Sequence, residues 1–132
     1  MAFGIIVVTH GKTGISMVEA VQNILGQNSR LAAMGLDWDI DFEDAKRELG
    51  EIVTEKNNQE GVLIFTDMFG GTPNNIALGF YKKPGVEIVS GVNLPLLIKA
   101  LTLPEDTTAE EAGQLLKKEI HKTIYIAGDL LG

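Results

Sequence analysis

Two polar side chains stand at the ends of apolar segments and could together perform nucleophilic chemistry. His10 follows the apolar run at residues 4–8, and Asp67 comes directly after the apolar run at residues 61–66. A carboxylate that accepts a hydrogen bond from one imidazole nitrogen fixes the tautomer of the ring and leaves the other nitrogen bare and nucleophilic. The pair therefore predicts nucleophilic or acid–base chemistry, provided that the fold brings the two segment ends together.

The loop that follows Asp67 is suited to an anion. Gly70 and Gly71 let the backbone approach a ligand closely, and amides in the first turn of the helix predicted after them favour negative charge. The Thr72 hydroxyl either caps this helix or binds a phosphoryl oxygen. A nucleophilic histidine facing such a loop favours phosphoryl transfer, because that chemistry depends mainly on positioning and charge stabilisation. The candidate phosphate-binding residues are Thr9, Gly71, Thr72, Asn74 and Asn75.

Each of these features also has a purely structural interpretation. A lone histidine after a strand is often solvated, a lone aspartate often caps a turn, and Gly-Gly-Thr-Pro is ordinary for a turn that leads into a helix. Their coincidence at one predicted sheet edge favours a site. The other histidine, His121, is predicted to be solvated. The sequence contains neither a P-loop nor a carboxylate cluster for Mg²⁺, so we expect a site without a nucleotide or metal cofactor.

Short apolar runs alternate with longer amphipathic segments along the chain. Strands are predicted at residues 4–8, 31–36, 61–66 and 86–90, and helices at about 17–25, 42–57, 72–81, 94–103 and from 107 or 108 onward. Four strands that are each followed by a helix predict an α/β fold, a doubly wound parallel sheet flanked by helices. Ligands of such sheets lie beyond the carboxyl ends of the strands. The last segment, residues 122–127, is predicted to be a further strand at the sheet edge or paired with another chain.

Polar residues before each amphipathic segment predict where the helices begin. The expected caps are Ser16, Asp39 or Asp41, Thr72, and Thr108. Ser16 and Thr108 each precede a glutamate by three residues, which is the capping-box pattern. A cap at Thr72 would make Pro73 the first helical residue.

The composition limits the classes of function. A length of 132 residues, 45% of them apolar, fits a single domain over residues 1–132. The net charge of −7 argues against nucleic acid as a partner, because nucleic acids require a basic face. The absence of cysteine excludes disulfides and thiolate chemistry. We find no signal peptide and no apolar run long enough to span a membrane, so we expect a cytoplasmic protein.

Three segments of the chain form a recognisable combination. They are IIVVTHG at residues 5–11, GVLIFTDMFGGTPNN at residues 61–75 and SGVNLPLL at residues 90–97. Together they resemble the enzyme IIA component of the mannose-family sugar phosphotransferase system of bacteria. The middle segment is the most specific, and the resemblance extends over nearly the whole chain.

The resemblance implies a phosphoryl relay. His10 would accept a phosphoryl group from the phosphocarrier protein HPr and pass it to a histidine of a IIB component. IIB then phosphorylates the sugar as it enters through the membrane components IIC and IID, with which IIA would associate peripherally. Asp67 would hold one ring nitrogen so that phosphorylation falls on Nε2, and Thr72 would lie beside the phosphoryl group.

The resemblance also carries expectations about assembly. Family members are commonly homodimers, and in some of them an antiparallel fifth strand is exchanged between subunits; residues 122–127 are the candidate here. Some members continue into a fused IIB domain, whereas this sequence ends at Gly132. We therefore expect IIB to be a separate chain. The sequence does not indicate which sugar is transported, because IIA need not contact it.

Three other functions stay open at this point. The first is the phosphotransfer subunit of a phosphoenolpyruvate-dependent dihydroxyacetone kinase, and the second is a phosphatase or mutase that uses a strand-end phosphohistidine. The third is a flavodoxin-like regulatory module without transfer activity. The Phe-Gly-Gly-Thr-Pro stretch disfavours the first, Thr9 in place of arginine before His10 disfavours the second, and the lack of a dinucleotide fingerprint disfavours the third.

Overall fold

The helices and strands alternate along the chain as the hydrophobic pattern predicts. A computed structural model describes residues 2–132. Its strands are β1 (Gly4–His10), β2 (Leu31–Leu36), β3 (Val62–Thr66) and β4 (Val86–Ser90). Its helices are α1 (Thr13–Leu25), α2 (Phe42–Lys56), α3 (Thr72–Leu78), α4 (Leu94–Leu101), α5 (Ala109–Glu119) and α6 (Ala127–Leu131), with a 3-10 turn at Ile120–Thr123.

The four strands form one parallel sheet in the order β2-β1-β3-β4. The chain moves from β1 outward to β2, then crosses back to β3 and moves outward again to β4. The direction therefore reverses between β1 and β3, and in open α/β sheets the crevice at such a reversal is where ligands bind. The predicted fold class, a doubly wound parallel sheet with helices on both faces, is confirmed.

Alternation along the central strands divides the core into two layers. Ile5 and Val7 of β1 face a layer formed with α1, α4 and α5, whereas Ile6 and Val8 face a layer formed with α2 and α3. All four side chains are completely buried, and burying each stabilises the fold by about 1.5–3 kcal/mol. The same alternation sends the side chains of Thr9 and His10, which follow on β1, toward opposite faces of the sheet.

Two of the predicted caps form and two do not. The Asp41 carboxylate accepts from two amides at the start of α2, and Thr108 and Glu111 form a reciprocal capping box on α5. Helix α1 begins at Thr13, before the predicted cap Ser16, and has no side-chain cap at its N-cap residue. Its first turn is held instead from β1, because the Thr9 hydroxyl accepts from the Gly14 amide at 2.7 Å.

Helix α3 begins one residue earlier than predicted. Gly71 is its N-cap, and Thr72 and Pro73 are the first two helical residues. Glycine can adopt the φ of +84° found at this cap, a value that other residues rarely reach. Thr72 is therefore not the helix cap, and the capping role predicted for its hydroxyl is wrong.

The C-terminal segment contains no sheet strand within this chain. Residues 122–127 were predicted as a strand, but residues 120–123 form the 3-10 turn and α6 begins at Ala127. Ile124 and Ile126 have extended backbone angles, and nothing in the described residues pairs with them as a strand. A strand needs a hydrogen-bonding neighbour, and this segment has none within residues 2–132.

Candidate functional site

The carboxyl ends of β1 and β3 bring His10 and Asp67 together. The two strands are neighbours, with Val8 beside Thr66 in the register, so both strands end at the same edge of the sheet. His10 Nδ1 lies 2.7 Å from Asp67 Oδ2, and the His10 amide donates to the same oxygen at 3.0 Å. The two contacts hold both the backbone and the ring of the histidine, and the predicted pairing is therefore present in the structure.

The carboxylate determines which ring nitrogen carries the proton. Burial would raise the pKa of Asp67, but hydrogen bonds from the amide and ring of His10 outweigh it and leave the pKa below the ordinary value of 3.8. The group is thus ionised at neutral pH and can only accept hydrogen bonds, so Nδ1 must donate and Nε2 is the bare nitrogen.

The same carboxylate links the site to stability. Because folding lowers the pKa of Asp67, its ionised form stabilises the native state above pH 3.8, and this contribution is lost as the pH falls through the lower folded value. Its other oxygen, Oδ1, is buried without a hydrogen-bond partner. The orientation of His10 therefore depends on a single carboxylate oxygen.

Nε2 of His10 faces the backbone at the start of α3. A Cβ atom added at Gly71 would lie 3.2 Å from Nε2 and 3.1 Å from Cε1. Glycine at this position thus allows both the backbone conformation of the cap and its close approach to the imidazole. A small cavity of about 110 Å³ adjoins the ring, and its lining includes His10, Thr72 and Pro73. An anion on Nε2 would lie beside the first turn of a helix, where the amides favour negative charge.

The remaining candidate phosphate-binding residues have structural roles. Thr9 is completely buried on the face opposite to His10, where its hydroxyl binds the Gly14 amide. The Asn74 carboxamide oxygen accepts from the hydroxyls of Thr66 and Ser90, which ties α3 to the ends of β3 and β4. The Asn75 amide donates to the carbonyl of Gly71 at 3.0 Å, so it is already paired within the helix.

The alternation of side chains explains the misplacement of Thr9. Successive residues of a strand point to opposite faces, and His10 occupies the α3 face. Thr9 must then point toward α1. The alternation of side chains along a strand therefore predicts, from the sequence alone, that Thr9 points away from a site that contains His10.

The indole of Trp38 stacks on the His10 ring, and sequence reasoning missed this contact. The ring centroids are 5.5 Å apart and the planes are inclined by 30°. Trp38 follows β2, whose Leu36 lies beside His10 in the register of the sheet. The residues around Trp38 indicate no more than a loop, because the position of that loop depends on which strand is the neighbour of β1.

Further apolar side chains lie exposed in the loop between Asp67 and Gly71. Met68 is 54% exposed and Phe69 is 80% exposed. Within residues 2–132, no three His, Cys, Asp or Glu side chains lie together as a metal would require. None of the helices in that range is long and apolar enough to cross a membrane.

The fold and this site define an α/β protein with an aspartate-held histidine at the switch point of the sheet. Residues 4–117 match the family described as PTS system fructose IIA component, and the chain belongs to this family of the bacterial phosphotransferase system. The resemblance found in the sequence is thus confirmed. The family implies a phosphotransfer role in sugar transport, as a transferase component that interacts with HPr and a IIB component.

Individual relatives agree with this assignment. The fructose-specific EIIA component of Bacillus subtilis (strain 168) is 25% identical over 128 residues, which are 96% of this chain and 88% of the relative. The mannose-specific EIIAB component of Escherichia coli (strain K12) is 30% identical over 115 residues, or 80% of this chain. The match spans only 33% of that longer protein.

Solved structures share the fold. A PTS IIA protein associated with the fucose utilization operon of Streptococcus pneumoniae superposes with a TM-score of 0.83 at 26% identity, over 100% of both chains. The mannose/sorbose-specific IIA subunit of Enterococcus faecalis gives a TM-score of 0.84 at 24% identity, over 96% of this chain and 95% of that one.

Proposed function

We propose that this protein carries a phosphoryl group on Nε2 of His10, which it accepts from phospho-HPr and passes to a histidine of a IIB component. The observation that carries the proposal is the 2.7 Å contact between His10 Nδ1 and Asp67 Oδ2. This contact leaves Nε2 as the nucleophile and aims it at the N-terminal backbone of α3.

The transfer needs no group beyond the two proteins. The lone pair of Nε2 attacks phosphorus, the N–P bond to the donor histidine breaks, and its electron pair returns to the donor ring. The proton on Nδ1 stays in place, so the His10 ring gains imidazolium character that the Asp67 carboxylate stabilises. Transfer to IIB is the same step in reverse, with a histidine of IIB as the nucleophile. The absence of a metal or nucleotide cofactor stays part of the proposal.

The phosphoryl site is shaped by Gly71 and Thr72. Gly71 permits the backbone of the α3 N-terminus to approach Nε2, and Thr72, which does not cap the helix, lines the adjoining cavity with its hydroxyl available. Negative oxygens on Nε2 would meet a site that favours their charge before the reaction begins.

The partners dock at the exposed edge around His10. Met68 and Phe69 present apolar surface there, and docking that buries it would keep water away from the labile adduct. The IIB component passes the phosphoryl group to the sugar that enters through the membrane components IIC and IID. This protein therefore acts in the cytoplasm, next to the transporter, as a member of the mannose family.

The protein acts as a homodimer built along the edge of the sheet. Among the described residues, β4 pairs only with β3, and a groove of about 350 Å³ runs beside it, lined in part by Val89, Leu116 and Ile120. Ile124 and Ile126 have extended backbone angles, and together with Tyr125 they expose three large side chains. This segment of a second copy would supply the missing fifth strand.

The test is phosphorylation by purified components. Incubation with phosphoenolpyruvate, enzyme I and HPr should label the protein with acid-labile, base-stable phosphate, and the label should pass on to a IIB component. His10→Ala should abolish labelling, whereas His121→Ala, which removes the only other histidine, should leave it unchanged. A His10→Ala variant that still accepts phosphate would overturn the proposal. Transfer to a nucleotide-bound dihydroxyacetone kinase instead of IIB would favour the alternative relay.

A further inference from the structure

Trp38, the one tryptophan of the chain, lies against the ring of His10, and packing into the core does not explain its presence there. Trp38 is 87% exposed, so it contributes little to the core. Its indole is nevertheless stacked on His10, with 5.5 Å between the ring centroids. It also lines the small cavity beside His10, together with Thr72 and Pro73 at the start of α3.

We propose that Trp38 is a positioning residue for His10, which acts through the face of its indole to stabilise the phosphorylated ring and to cover the phosphoryl group. The inference rests on the proposed function of His10. It adds a residue from the loop after β2, whereas Asp67 and Gly71 lie in the loop after β3. Asp67 holds the ring at Nδ1, the backbone of Gly71 limits it at Nε2, and Trp38 covers one face. The three contacts together restrict rotation of the imidazole.

The stabilisation follows from the charge of the phosphorylated ring. When Nε2 bonds to phosphorus while Nδ1 keeps its proton, the imidazole ring becomes cationic. The face of an indole carries negative electrostatic potential and attracts a cation stacked on it. The neutral ring that remains after transfer is attracted less. The contact therefore favours the phosphorylated state over the free histidine.

The position of Trp38 in the cavity adds a second effect. A phosphoryl group on Nε2 would extend toward the first turn of α3, and the indole lines the cavity on which that turn also borders. Water that attacks phosphorus from this side would have to displace the indole. Trp38 should thus lengthen the lifetime of the phosphohistidine in the free protein, before any partner covers the site.

The experiment compares Trp38→Ala, Trp38→Phe and Trp38→Leu with the matched control Phe42→Ala, which removes an exposed aromatic side chain a few residues further along the chain. Each variant is phosphorylated with phosphoenolpyruvate, enzyme I and HPr. The equilibrium constant for phosphoryl exchange with HPr and the hydrolysis rate of the isolated phosphoprotein are measured, together with the KM for HPr. In Trp38→Ala, loss of a cation–π contact at an exposed position should lower the equilibrium constant for phosphorylation and raise the hydrolysis rate, each by roughly fivefold.

Trp38→Phe should keep the exchange equilibrium constant and the hydrolysis rate close to those of the unaltered protein, because phenylalanine keeps an aromatic face. Trp38→Leu should resemble Trp38→Ala. Phe42→Ala should behave as the unaltered protein. A Trp38→Ala variant with unchanged exchange and hydrolysis would overturn the inference, as would leucine restoring as much as phenylalanine. A higher KM for HPr with unchanged hydrolysis would mean that Trp38 serves only docking, which also contradicts it.

The single tryptophan supplies an independent readout. Because Trp38 is the only indole of the chain, its fluorescence should change when His10 is phosphorylated, and this change should be absent in His10→Ala. A labelled protein with unaltered emission would contradict the stacking. Failure of His10 to accept phosphate would instead reject the proposed function itself, so the two failures can be told apart.

Discussion

The sheet edge around His10 and the C-terminal segment at residues 124–131 differ in the contacts that their side chains make within the chain. At the edge, His10 finds partners within its own chain for one ring nitrogen and for one face. In the C-terminal segment, Ile124, Tyr125 and Leu131 are exposed by 69%, 71% and 87%. In the first region the His10–Asp67 pair is held within one chain although Met68 and Phe69 beside it are exposed, whereas in the second region no comparable polar pair is held among the described residues.

Under the proposed function, the first region is organised for chemistry and the second for assembly. Polar groups that must react are held by short, directed contacts from neighbouring strands, so their geometry depends on the parallel sheet. Exposed apolar side chains contribute to stability only when another surface covers them. We therefore expect changes at the edge to affect transfer, and changes in the C-terminal segment to affect association.

Replacing the carboxylate of the pair should have the largest effect. Asp67→Asn keeps the size of the side chain but removes the charge that orients His10 and stabilises its imidazolium character. We expect phosphoryl transfer from HPr to slow by about 100-fold or more, the range typical of lost acid–base assistance, while thermal unfolding stays cooperative. Unchanged transfer in rapid-quench labelling would show that the carboxylate does not orient the ring.

A methyl group at Gly71 should have the next largest effect. Gly71→Ala places a Cβ 3.2 Å from Nε2, at a φ of +84°, so the backbone and the ring must both shift. We expect a loss of about 1–3 kcal/mol in the free energy of unfolding and transfer slowed by roughly tenfold.

Gly70→Ala is the matched control for this change. Gly70 also has a positive φ, +86°, but a Cβ there would meet no atom within 4 Å. It should lose stability through the backbone while transfer stays close to that of the unaltered protein. Equal transfer defects in the two variants would mean that the close approach to His10 is unimportant.

Charges in the C-terminal segment should have the smallest effect on transfer. In Ile124→Asp with Ile126→Asp, few contacts within the chain are lost, so each change should alter the free energy of unfolding of the monomer by less than about 0.5 kcal/mol. Labelling of His10 should be unchanged, and sedimentation should show a monomer in place of the dimer that we propose for the unaltered chain. Slower labelling, or a dimer that persists, would remove the contrast between the two regions.

Local patterns were sufficient for the sheet itself. Runs such as residues 61–66 have no polar alternation, which is typical of strands buried on both faces, and β3 is completely buried. The capping pattern at Thr108 was also correctly interpreted. The pattern at Ser16 was not, because the Thr9 hydroxyl on a neighbouring strand holds the first turn of α1 instead.

The sequence by itself determined the strands, most of the helices, the histidine and its aspartate, because burial on both faces and strand-end polarity are properties of short segments. Only the tertiary structure decided that β1 lies between β2 and β3, and so which loops meet at His10. That order brings Trp38 to the ring and sends Thr9 into the core. The final segment does not pair with the open edge at β4 among the described residues, because the hydrogen-bonding neighbours of a segment are set by the whole sheet rather than by its own residues.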